Sequence, residues 1–237
     1  MTGLLALVAA VSLTQVPVSE GVHELTFRVP GFGQILYAVS VPDGYDPSRP
    51  RPLVLALHSG GTRFPYYGSA FMQQIVGPGV EALDPIIVAP DCPTRDWSDP
   101  FADQVVMQLL DHVLESYAID RRRMLVTGFS LGGRGTWFMS SRHRDRFTAA
   151  IPMAASTGGE SVETLGLLPT YIIHSRQDEV VPFAPAEQVA RELEGLGRLV
   201  RFEALDDFTH YEMYRYVDAL RRGVAWVADR WEEQDRR

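Results

Sequence analysis

Short unbroken apolar runs alternate along the chain with longer stretches in which apolar residues recur every three or four positions. The unbroken runs are 53–57 (LVLAL), 85–89 (PIIVA), 124–127 (MLVT), 149–153 (AAIPM) and 170–173 (TYII). A strand with one wet face alternates apolar and polar residues. Runs without alternation suit strands buried on both faces of a parallel sheet. Phe101, Val105, Val106, Leu109, Leu110, Val113 and Tyr117 fall on one helical face. The same spacing predicts helices over 131–141, 184–196 and 214–231, and 199–205 reads as a further strand. Ahead of these, 24–29 and 35–41 alternate and flank Pro30-Gly31-Phe32-Gly33. That is the signature of an antiparallel hairpin at a sheet edge. The polar tail 232–237 is expected to fray.

The rhythm predicts one α/β domain: a mostly parallel sheet with an N-terminal antiparallel hairpin and helices on both faces. That domain is expected over 21–237. The segment between Ser130 and Asp178 is filled by one helix, two strands and a short link, which leaves no room for a cap domain. Residues 1–20 are expected to be a signal peptide or N-terminal extension. Leu4–Leu13 is apolar but shorter than the roughly 20 residues that span a bilayer. Its length suits a signal-peptide core, although no Lys or Arg precedes it and no clear cleavage triplet follows. Export to the periplasm or medium is the reading, with a cytoplasmic protein as the alternative and no stable membrane insertion in either case.

Composition narrows the classes. With 46% hydrophobic residues the chain can bury a core and is not a disordered one. Thirty acidic against 22 basic residues, net charge −8, argue against nucleic acid as a partner. The single cysteine, Cys92, excludes an intrachain disulfide and a Cys-based zinc site. No metal-ligand spacing such as H-E-x-x-H occurs, so neither metal nor cofactor is expected.

The chemistry is concentrated in Gly128-Phe129-Ser130-Leu131-Gly132, a G-x-S-x-G motif between a predicted strand and a predicted helix. That context makes Ser130 a candidate nucleophile on a sharp turn, where side chains at 128 and 132 would clash. A serine hydroxyl needs a base. Of six histidines, His210 lies on the loop between the last strand and the last helix, from which it can reach over the sheet edge. Asp178 follows the 170–173 strand and is the candidate acid that orients the imidazole. Asp206 and Asp207 are rivals better suited to a turn. The developing oxyanion requires backbone donors: the N–H of Leu131 and one from Ser59 or Gly60 in the loop His58-Ser59-Gly60-Gly61. Trp97, Phe64 and Tyr66 are candidate pocket residues, with core packing or plain surface cover as the other reading.

Several of these segments together resemble the α/β-hydrolase superfamily, in its small carboxylesterase branch. That branch includes phospholipase/carboxylesterase, dienelactone hydrolase-like and feruloyl-esterase or peptidase-like groups. The resemblance rests on Val41-Pro42-Asp43-Gly44-Tyr45, Leu57-His58-Ser59-Gly60-Gly61, Ala89-Pro90-Asp91, Gly128 to Gly133, Asp178 with Val181-Pro182, and His210. The order Ser130, Asp178, His210 is that superfamily's triad order. Ser59 stands where these groups often carry glycine, and Arg134 where a smaller residue is commoner. The resemblance implies hydrolysis of a small-molecule ester through an acyl-enzyme, without cofactor. A peptidase or thioesterase on the same triad, or a binding protein that kept the fold, are the alternatives.

Overall fold

The computed structural model describes residues 16–236. Of the expected N-terminal leader, residues 1–15 lie outside that range.

Eight strands form one sheet in the order β1-β2-β4-β3-β5-β6-β7-β8. The hairpin is β1 (Gly21–Val29) and β2 (Gly33–Val41), paired antiparallel from Gly21 against Val41 to Val29 against Gly33. β2 then runs antiparallel to β4 (Ile86–Pro90). From β4 onward the neighbours β3 (Arg51–Leu57), β5 (Ile119–Phe129), β6 (Ala149–Met153), β7 (Thr170–Ser175) and β8 (Val200–Leu205) are parallel.

The unbroken apolar runs are explained by two helical layers. One face of the sheet carries Val54 and Ala56 against α1 (Tyr67–Phe71), α2 (Gly77–Val80) and α6 (Val217–Asp235), in a core that includes Met72, Leu220 and Trp231. The other face carries Leu53, Leu55 and Leu57 toward Val105, Leu109 and Val113 of α3 (Pro100–Ser116). Alternate residues of one strand thus enter opposite cores, and both sets are apolar. The last two helices to be named are α4 (Leu131–Arg142), directly after β5, and α5 (Phe183–Gly195), between β7 and β8.

One segment is added to the predicted elements and two expectations are corrected. The segment between β3 and β4, which the pattern left unassigned, is helical from Tyr67 to Leu83, in short pieces that include a π turn over Met72–Val76. Gly77-Pro78-Gly79 broke the periodic signal there, although tertiary packing keeps the segment helical. The last helix does not start at Tyr214: Met213–Tyr216 is a 3₁₀ turn that leads into it. That helix also continues through Asp235 rather than fraying at 232, because Arg122 and Arg123 hold the Asp235 carboxylate at 2.9 and 2.7 Å.

β3 is paired with β4 on one side and β5 on the other, and it is the point from which successive crossovers run in opposite directions. Open α/β sheets form a crevice beyond the strand ends at such a point. Leu57 stands opposite Gly128, so the loops after β3 and β5 leave the sheet side by side. Ser175 stands opposite Leu205, which places the loops after β7 and β8 together at the same edge.

Candidate active site

Ser130 occupies the turn between β5 and α4 with φ 55° and ψ −114°, a conformation that L-residues rarely adopt. The turn is held from both sides: the Ser130 N–H donates to the Met153 carbonyl at 2.9 Å, and its own carbonyl accepts from Arg134 N–H at 2.9 Å. Only glycine fits at its flanks. A Cβ on Gly128 would lie 2.4 Å from the Gly132 carbonyl oxygen, and one on Gly132 would lie 1.8 Å from that of Leu57. Both contacts are with backbone, so neither can relax cheaply.

His210 Nδ1 lies 2.7 Å from Asp178 Oδ2, and its Nε2 lies 2.9 Å from Ser130 Oγ. With Nδ1–H donating to the carboxylate, Nε2 is the bare nitrogen and accepts from the serine hydroxyl. The structure therefore brings Ser130, His210 and Asp178 into one hydrogen-bonded line. Phe129 backs the imidazole at a ring-centroid distance of 4.9 Å. The loop carrying His210 is tied down by its own N–H donating to Glu179 at 3.0 Å, and by Ser175 Oγ donating to the Phe208 carbonyl at 2.6 Å.

Asp178 is buried and fully engaged. Oδ1 accepts from the N–H groups of Val180 and Val181, at 3.0 and 2.7 Å. Oδ2 faces His210 and, at 3.4 Å, the Nε2 of His174. Burial alone would push this carboxyl up. The hydrogen bonds from His174, His210 and Val181 outweigh it and hold the group well below the usual carboxylate range. Asp206 and Asp207 are exposed and take no part: Asp206 pairs with Arg176 at 3.3 Å, and Asp207 sits at φ 68° in the turn.

The loop after β3 is organised by His58, a buried side chain directly after the strand. Its Nε2 accepts from the Cys92 N–H at 3.0 Å, so the proton is on Nδ1, which donates to the Ser59 carbonyl at 2.7 Å. Burial lowers its pKa from 6.5 to about 4, consistent with a neutral ring. The two ends of a trans peptide point opposite ways. With the Ser59 carbonyl turned to His58, the Gly60 N–H is turned to the other side. Ser59 Oγ is 2.9 Å from the Tyr67 hydroxyl, which also donates to the Gly60 carbonyl at 3.2 Å.

A cleft of about 500 Å³ opens over Ser130 and His210, lined among others by Gly60, Tyr67, Val180, Tyr211 and Met213. Of the expected pocket residues none lines it. Trp97 is wholly buried, with its indole N–H donating to the His58 carbonyl at 3.1 Å, so it packs beneath the loop and fills the core. Phe64 is exposed and reaches the cleft only through Tyr67, at 4.9 Å between ring centroids. Tyr66 contributes backbone: at φ 60° its N–H donates to Asp91 at 2.9 Å. The aromatic of that segment that lines the cleft is Tyr67. Among the described residues no group of three or more His, Cys, Asp or Glu is placed to hold a metal ion. No described helix is long and apolar enough to cross a membrane.

A solved thermostable esterase superposes with a TM-score of 0.75 at 26% identity, over 88% of this chain and 62% of its own. A fluorophosphonate-binding serine hydrolase of Staphylococcus aureus superposes with a TM-score of 0.70 at 14% identity, over 88% of this chain and 99% of its own. The chain has the α/β-hydrolase fold. Among curated proteins, feruloyl esterase C of Emericella nidulans is 25% identical over 178 residues, covering 71% of this chain. The chain spans about three fifths of the length of that relative and of the thermostable esterase. No family model matches it.

Proposed function

We propose that this α/β-hydrolase is a serine carboxylic-ester hydrolase that works through an acyl-enzyme. The observation that carries the reading is the line Ser130–His210–Asp178, with a serine on a strained turn, a bare imidazole nitrogen at its hydroxyl and a buried carboxylate behind the ring. His210 takes the Ser130 proton as Oγ attacks the ester carbonyl, and Asp178 stabilises the imidazolium. The Leu131 N–H and the Gly60 N–H receive the oxyanion, with Gly60 favoured over Ser59 by the orientation of the peptide that His58 fixes. The alcohol leaves with the proton from His210, and water then repeats the sequence on the acyl-enzyme.

The cleft supports an aryl or short acyl ester as substrate. Its walls are aromatic and apolar, His210 is its one charged-capable group besides tyrosines, and Tyr211 at its mouth is 79% exposed. Similarity to feruloyl esterases supports including hydroxycinnamate esters among the candidates. The test is fluorophosphonate labelling with mapping of the modified residue, together with rates on p-nitrophenyl esters, hydroxycinnamate esters, thioesters and peptide amides. Labelling at Ser130 and ester turnover are expected. An unlabelled protein, or one that cleaves amides or thioesters in preference to esters, overturns the reading.

A further inference from the structure

Beside the Ser130 cleft lies a second, polar one of about 390 Å³. Its walls are Gly60, Gly61, Leu131, Arg63 and Arg95. Gly60 and Gly61 belong to both clefts, and Leu131 directly follows Ser130. The ridge between the two clefts is therefore the Gly60-Gly61 turn, which carries one of the two proposed oxyanion donors, and Leu131, which carries the other, lines the second cleft. An ester carbonyl seated on those donors has one arm in the apolar cleft and room for the other to run toward the arginines.

The electrostatics of this second cleft oppose those of the whole chain, whose net charge is −8. Arg63 and Arg95 are both exposed, and among the described residues neither lies within ion-pair distance of a carboxylate. Arg63 is braced by donating from Nη1 to the Cys92 carbonyl at 3.2 Å, which leaves the rest of its guanidinium free. Asp96 pairs with Arg134 at 2.9 Å. Asp91 accepts from the N–H groups of Tyr66 and Gly68 at 2.9 and 2.8 Å and lies near enough to Arg63 to feel its charge, but forms no ion pair with it. The Ser130 cleft itself is lined by no arginine, lysine or carboxylate. Charge recognition is thus confined to one side of the reacting carbonyl. Two guanidinium groups on a cleft wall suit a carboxylate or other planar anion, which each can bind through paired N–H donors.

We infer that Arg63 and Arg95 form an anion subsite, and that the substrate is an ester with an apolar or aryl arm on one side of the carbonyl and a negatively charged arm on the other. The inference rests on the serine-hydrolase reading for its chemistry but not for its binding. Two matched pairs test it: p-nitrophenyl hexanoate against mono-p-nitrophenyl adipate for the acyl arm, and phenyl butyrate against 4-carboxyphenyl butyrate for the alcohol arm. In the Arg63→Gln/Arg95→Gln protein, the ratio of kcat/KM for the charged ester to that for its neutral match should fall about tenfold in one of the pairs. In the unaltered protein the same ratio should fall as salt is raised. A ratio that the double substitution leaves unchanged in both pairs overturns the subsite. Binding is read separately by calorimetry on Ser130→Ala with monoethyl adipate against ethyl hexanoate and 4-carboxyphenyl butyrate against phenyl butyrate, and the preference for the charged ligand in one of these pairs should vanish with the two arginines. If neither neutral nor charged esters turn over, the hydrolase reading fails. Calorimetry then still decides the subsite, since equal affinity within both pairs removes it.

Discussion

His174 lies behind Asp178 with its Nε2 3.4 Å from Oδ2, the oxygen that His210 Nδ1 approaches to 2.7 Å. Two imidazoles therefore address one carboxylate oxygen, one from the cleft side and one from the core. The inner ring is wholly buried at the end of β7. Its Nε2–H donates to the Val181 carbonyl at 2.9 Å, and its buried Nδ1 has no hydrogen-bond partner among the described residues. His174 closes the loop 178–181 on itself and holds the acid in place, which makes it a positioning residue.

His174→Leu should consequently act through the acid. The change leaves the Val181 carbonyl without its donor, at a cost of about 1–3 kcal/mol in stability. Ester turnover should drop about tenfold or more in kcat, with KM moving less, because the apolar cleft is untouched. His174→Gln, which can donate to the same carbonyl, should recover part of both. Steady-state kinetics with urea unfolding checks this. A kcat equal to that of the parent at matched folded fraction removes the positioning role.

Ser130 permits stability and activity to be separated. Ser130→Ala should lower kcat by about 10⁴–10⁶ while the fold persists. Ser130→Gly should be equally inactive yet more stable than Ser130→Ala by about 1 kcal/mol, since glycine adopts φ 55° without strain. Thermal unfolding of the two variants side by side measures the strain held at the turn. Activity in Ser130→Ala within tenfold of the parent would remove the serine as nucleophile.

The acid can be told from its neighbours in sequence. Asp178→Asn should cost on the order of 10⁴ in kcat by favouring the wrong His210 tautomer. Asp206→Asn and Asp207→Asn should stay close to the parent, because both side chains are exposed and outside the hydrogen-bonded line. The same substitution should alter acid unfolding. Asp178 is held below its ordinary value, so its contribution is present above about pH 3.9 and is lost as the pH falls below that. Asp178→Asn should lack this part of the acid limb. Kinetics of the three variants and unfolding titrations in acid decide it, and a crippled Asp206 or Asp207 variant would reassign the acid.

What the sequence displays clearly is whatever one strand and its following turn can encode. The apolar runs mark β3 to β7 because each of these strands feeds two cores. Gly128 and Gly132 mark the turn because backbone atoms close over both positions. The long-range contacts are not written this way. His58 reaches Cys92 across 34 residues, and Trp97 reaches His58 across 39, so neither role shows in local spacing. Tyr67 rather than Tyr66 lines the cleft because Tyr66 takes a left-handed φ of 60° that redirects the chain, and no periodic pattern announces that. His174 stands near the end of β7 with no motif around it that marks a role. Its proximity to Asp178 depends on how the loop after β7 folds back over it.

His58 couples pH to the loop that it holds. Burial keeps its folded pKa at about 4, whereas the unfolded chain protonates near 6.5. As pH falls from about 6.5 toward 4, the unfolded state binds a proton that the folded state refuses, and stability declines through that window. Above it the contribution is complete, and below about pH 4 the loss from this group levels off at about 3 kcal/mol. His58→Gln removes the titration. It should be less stable than the parent near neutrality, because the link between Cys92 and Ser59 is weakened, but its stability should fall less steeply across the window. Urea unfolding free energies measured from about pH 4 to 7 for both proteins give the two slopes. The difference should approach one proton in mid-window. Coincident slopes would mean that the folded protein protonates His58 freely, and the neutral ring bridging the Cys92 N–H to the Ser59 carbonyl would have to be abandoned, along with the orientation of Gly60 that depends on it.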